Sequence, residues 1–208
     1  MKLMYNTIAL KQISILAMLI FSTGCMTVNE GMLRQVTITP PANHSGIVEV
    51  KTGELIQKLN GEGQNRGVLS GTTVLNAFGK SMMQRWKSKD IIDDYGFSGD
   101  LKKDPDFTVT LSGVRNEDGS IAGAVLSGIS LMILPATSTL TYDLNLEFIN
   151  NHNKKHYTVK AKNAVTTWMQ ILLLPALPFS WIGSNNMIND MADYSYDELR
   201  KQGAFTDL

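Results

Sequence analysis

Between Thr141 and Lys162 the chain alternates polar and apolar residues in two runs separated by a polar break, and few folds accommodate that pattern. Tyr142, Leu144, Leu146 and Phe148 alternate with Thr141, Asp143, Asn145 and Glu147, while Tyr157, Val159 and Ala161 alternate with Thr158, Lys160 and Lys162. A period of two sends successive side chains to opposite faces, so both runs read as half-buried strands. Asn150-Asn151-His152-Asn153 between them reads as a hairpin loop. Asp143 and Glu147 would then share one solvated face with Lys160 and Lys162. A third alternating run, Phe107, Val109 and Leu111 against Thr108, Thr110 and Ser112, adds another strand. Val36–Thr39, stopped by Pro40-Pro41, is expected as an edge strand, and Ile47–Lys51 as a further short one.

Helical spacing appears twice. From Ser70 to Lys89 a stripe of Leu75, Phe78, Met82 and Trp86 falls three or four residues apart, with Ser70 or Thr72 available as a cap. Asn186 to Gln202 carries Met187, Ile188, Met191, Tyr194 and Leu199 inward and ends at Gly203. Glu54–Leu59 suggests one or two helical turns. Gly61, Gly63 and Gly67 after it read as a flexible loop, because no Gly-Lys-Ser/Thr ending makes them a phosphate loop. The expected fold is α+β: an antiparallel sheet of about four to five strands with two main helices packed on one face.

Two uncharged stretches stand outside this scheme. Residues 121–135 and residues 168–182 each carry an apolar run into Leu-Pro. Neither reaches the roughly 20 residues of a spanning helix, and Pro175 and Pro178 interrupt the second. The first leads into one strand of the hairpin and the second leaves the other, so both should emerge at the pole opposite Asn151-His152-Asn153. One reading has them fold back and complete the core. The other leaves an apolar surface for membrane, lipid or a partner subunit, with Leu131, Ile133, Leu134, Trp168, Leu173, Leu174, Phe179 and Trp181 as its contact residues. Indole rings favour the water–lipid boundary, having an apolar body and one N–H donor.

The first 24 residues give the chain an address. Lys2 and Lys11 precede a short apolar core, Ile13 to Phe21, and Ser22-Thr23-Gly24 lead to Cys25, the single cysteine. That is the layout of a secretory signal peptide. Ser22-Thr23-Gly24-Cys25 resembles the lipobox of Gram-negative bacterial lipoproteins, departing from it in having Ser22 where a leucine is usual. The resemblance implies cleavage before Cys25, acylation of that residue (palmitate among the chains) and a membrane anchor. Met26 in place of an aspartate implies the periplasmic face of the outer membrane. Residues 1–24 are then the signal, 25–35 the lipidated cysteine and tether, and 36–208 a single periplasmic domain. One acylated thiol forms no internal disulfide, so a packed core must supply stability.

Without Lys2 and Lys11 the chain holds 17 basic and 19 acidic residues. That balance argues against a nucleic-acid partner, which requires a basic face. His44, His152 and His156 all fall in or beside polar loops without ligand spacing, and no Gly-x-Ser-x-Gly elbow or free cysteine nucleophile is present. Neither a metal nor another cofactor is expected. Asp190, Asp193, Asp197 and Glu198 could pair for glycan hydrolysis, although a solvated helix face accounts for them as well. The functional expectation is a non-enzymatic binding or assembly accessory of the cell envelope, able to oligomerise. The alternatives are a component of a secretion or pore complex and an envelope hydrolase.

Overall fold

The alternating runs pair as a hairpin, and both strands continue well beyond them. The computed structural model describes residues 24–41, 46–63, 68–131, 133–170 and 182–205. Along the chain the elements are β1 (Gly24–Asn29), β2 (Ile47–Leu59), β3 (Glu62–Gly63), α1 (Val68–Ser88), β4 (Asp94–Phe97), β5 (Phe107–Gly119), α2 (Ile121–Ile129), β6 (Ala136–Asn150), β7 (His156–Gln170) and α3 (Ile182–Lys201). β6 and β7 are antiparallel from Ile149↔His156 to Ala136↔Met169, which brings Asp143 opposite Lys162 on an exposed face.

The sheet is larger than expected and mixed: seven strands in the order β1-β7-β6-β5-β2-β3, with β4 on β2. β5 is antiparallel to β6, but β2 lies parallel to β5. The physical reason is α1, which carries the chain from the end of β2 back past the sheet. A parallel neighbour requires such a crossover. The extra strands β1, β3 and β4 have six, two and four residues, too short to display a period.

Two local expectations are corrected. Glu54–Leu59 continues β2 instead of turning as a helix. Leu55 and Leu59, spaced for one helical turn, also satisfy a strand, and pairing with Gly113 to Glu117 of β5 decides it. Val36–Thr39 joins no strand. A bulge between Thr52 and Leu55 kinks β2. Opposite it, Gly113 has φ +153°, and a Cβ there would lie 2.3 Å from the Asp143 carbonyl oxygen, so only glycine fits.

α1 and α3 cover one face of the sheet, as expected. Leu75, Phe78, Met82 and Trp86 are all buried with Met187, Met191, Tyr196 and Leu199. The Trp86 indole N–H donates to the Ala192 carbonyl at 2.9 Å, tying the helices together within the core. Phe205 lies against Phe107, Phe148 and Tyr196 with ring centroids 5.1–5.6 Å apart. α3 approaches β1 so closely that a Cβ on Gly183 would lie 2.4 Å from the Thr27 carbonyl oxygen. The strand pairings define two poles. One holds Gly24, Gly119, Ala136 and Gln170; the other holds Ile47, Phe107 and the 151–155 turn.

A candidate membrane-facing pole

Ser120 starts α2 by accepting a hydrogen bond from the Gly123 amide at 3.0 Å, the ordinary N-cap arrangement. Ser130 ends it: its amide donates to the Leu126 carbonyl, its hydroxyl to Ser127, and it accepts from the Leu134 amide. Gln170 at the end of β7 donates to the Ile133 carbonyl at 2.9 Å. These bonds satisfy backbone groups at both ends of the segment within the protein, which a segment entering lipid requires.

The helix is oriented against the usual logic of burial. Ser127 is its one buried residue, while Ile121, Val125, Leu126 and Ile129 are exposed. Leu131, Ile133 and Leu134 continue the exposed surface, and Ile121, Ile129 and Leu131 each expose about three quarters of their area. Seven large aliphatic side chains are thus left in solvent, where burial of each is worth about 1.5–3 kcal/mol. The described part of 121–135 does not complete the core. Leu131 also sits at φ +53°, a conformation that glycine or asparagine adopts more cheaply.

Trp168, 40% exposed, lies on a rung with Thr137 of β6 and Met26 of β1. The neighbouring rung is Ala136, Met169 and Cys25. Cys25 is therefore two strand spacings, about 10 Å, from the residue that follows Leu134-Pro135. Leu173, Leu174, Phe179 and Trp181 lie outside the described residues. The flanking residues Gln170 and Ile182 are both described, Ile182 being exposed and next to Gly183 on β1.

The stretch 26–35, expected as a tether, is sheet and strap. After β1 the Glu30 amide donates to the Ala164 carbonyl and the Met32 amide to Asn163 Oδ1. Arg34 reaches Asp197 and, at 2.7 Å, Glu198, and its guanidinium lies 5.7 Å from the Tyr194 ring centre. The Tyr196 hydroxyl donates to the Thr39 carbonyl at 2.8 Å. Burial pushes the Asp197 carboxyl up, but hydrogen bonds from Lys201 and Arg34 outweigh it and hold the group below its ordinary value. The Arg34 and Lys201 hydrogen bonds likewise depress Glu198.

The four carboxylates considered for hydrolysis are all engaged. Asp190 accepts from Asn29 at 2.7 Å, Asp193 takes two bonds from Arg85 at 2.7 and 3.0 Å, and Asp197 and Glu198 hold the strap. At the opposite pole His152 meets Asp106 at 2.8 Å, and no group of three His, Cys, Asp or Glu suits a metal among the described residues. That pole also has an open cleft of about 950 Å³ lined by Lys80, Lys87, Tyr95, Phe97, Lys102 and Lys103 among others. No helix among the described residues is long and apolar enough to cross a membrane.

No protein-family model matches the chain, and no curated protein matches it. Among solved structures it is similar to a DUF330 protein from Xanthomonas campestris, at 11% identity and TM-score 0.42 over 82% of this chain and 95% of that one. It is similar to a neuraminyllactose-binding hemagglutinin homolog from Helicobacter pylori, at 10% identity and TM-score 0.37 over 82% and 90%. A PelC dodecamer from Paraburkholderia phytofirmans is matched at 10% identity and TM-score 0.30 over 82% and 95%. All three likenesses are faint.

Proposed function

We propose that this chain is a lipid-anchored envelope protein, a binding or assembly accessory whose apolar pole rests on the membrane that holds Cys25. The observation that carries this reading is the coincidence of two features at one pole. β1 brings Cys25 to the rung of Met169 and Ala136, and α2 beside it presents apolar side chains outward with only Ser127 buried. Acyl chains on Cys25 would enter the bilayer there, and the uncharged surface of 121–134 would follow them. The lipobox-like Ser22-Thr23-Gly24-Cys25 supports the anchor, and Met26 supports the periplasmic face of the outer membrane.

The test removes the anchor and asks whether the surface binds alone. Residues 25–208 carrying Cys25→Ser are mixed with phosphatidylethanolamine–phosphatidylglycerol vesicles and centrifuged on a flotation gradient in high salt. The protein should float, and Ile129→Glu should lower the vesicle partition constant about tenfold or more with an unchanged far-UV spectrum, because one large aliphatic group contributes about 1.5–3 kcal/mol. A protein that stays at the bottom as a monomer would rule out the membrane contact. One that stays at the bottom and assembles with concentration would assign the surface to a second copy.

A further inference from the structure

The anchor reaches the sheet with no intervening slack. All six residues of β1 are paired to β7, from Gly24↔Gln170 to Asn29↔Val165, and Cys25 itself is in the ladder opposite Met169. Glu30 and Met32 continue the attachment to β7, and Arg34 and Thr39 fasten the next stretch to α3. A lipoprotein on a flexible tether of this length would sample many orientations. Here Cys25, the residue expected to be acylated, is itself paired within the sheet.

Resting on the reading above, we infer that the domain is mounted upright on a single leaflet, held by two contacts on one rigid body. The first contact is the acylated Cys25 and the second is α2 with Leu131, Ile133 and Leu134. The occupant is one leaflet because α2, nine residues and about 14 Å long, is far shorter than the roughly 30 Å hydrocarbon core. Lying in the interface, such a helix sinks about 5–10 Å. Once the acyl chains are inserted, docking of α2 is intramolecular and its modest affinity suffices.

The mount has a consequence at the other end. β1 and β7 set the strand direction away from the leaflet, and β6 spans 15 residues, about 45 Å at the usual rise per residue. The cleft around Tyr95, Phe97, Lys102 and Lys103, which Ile47 also lines, therefore lies toward the end of the sheet away from the leaflet, at a fixed height.

The test uses the full acylated chain. With Cys25 acylated, K103C supplies one free thiol on an exposed residue of the cleft, which takes a fluorescent donor. Vesicles of phosphatidylethanolamine and phosphatidylglycerol carry an acceptor on the headgroups. A comparison variant has 15 Gly/Ser residues inserted between Cys25 and Met26, a coil of about 20 Å root-mean-square span that uncouples the anchor. The uninterrupted chain should give one narrow donor-to-surface distance near 45 Å, and the insertion should broaden and shorten it. Equal, broad distributions in both would overturn the rigid mount, and a narrow but short distance would overturn the upright orientation. Flotation of both proteins separates these outcomes from failure of the anchor itself: an uninterrupted chain that does not float would sink the underlying reading and the mount together.

Discussion

At the scale of single residues, Leu131 is the most telling. Its φ of +53° places a bulky, exposed, apolar side chain where glycine would be free of strain. A left-handed L-residue costs roughly 1–2 kcal/mol, and nothing buried repays that here. L131G should leave thermal stability unchanged or raise it, while weakening vesicle flotation of the unlipidated chain. A fall in stability would show that Leu131 serves the fold and not a surface. Single residues were unevenly legible. The Trp86 stripe was readable because helical period and burial coincide. Ser120 could have been read as a cap from a serine preceding an apolar run, and it was missed because that run looked like one undivided block.

At the scale of elements, the strap from Glu30 to Pro41 is held by ionised groups and is correspondingly sensitive to acid. Asp197 and Glu198 have depressed values, so their contribution is fully present above the ordinary carboxylate range and is lost as pH falls through the lowered folded values. Amide exchange over residues 30–41, corrected for intrinsic rates, should therefore accelerate relative to α1 as pH drops below about 4. Arg34→Ala should produce the same loosening at neutral pH. Protection that persists in both conditions would mean that the Met32 and Tyr196 bonds hold the strap unaided. The element itself was not legible: residues 26–35 carry no period, and their partners on β7 and α3 lie more than 130 residues away.

At the scale of the whole molecule, one core joins the sheet to both long helices, and Trp86 is the largest fully buried side chain among the described residues. Trp86→Ala should lower the free energy of unfolding by about 3–5 kcal/mol in a single urea transition. Two separate transitions would show that α3 and its strap unfold independently of the sheet. The same unity gives the proposed mount its stiffness, since β1 belongs to the sheet and both the apolar helix and the distal cleft are built directly onto its strands.

The sequence by itself determined what depends on neighbours along the chain. The β6–β7 hairpin, the inner half of β5, the two long helices and the two uncharged segments all announce themselves through periods of two or about 3.6, or through the absence of charge. Connectivity also predicts that both uncharged segments emerge at one pole, and Ala136 and Gln170, which border them, do lie there, while residues 171–181 fall outside the described residues. The tertiary structure alone decided the parallel seating of β2, the capture of β1 by β7 and the outward orientation of α2. A six-residue strand has no period to read, and its partner is chosen by whichever sheet edge is left open once the long strands have paired. Exposure likewise belongs to the assembled fold: α2 is apolar enough to be core, and it stays outside because α1 and α3 already cover the inner face of the sheet.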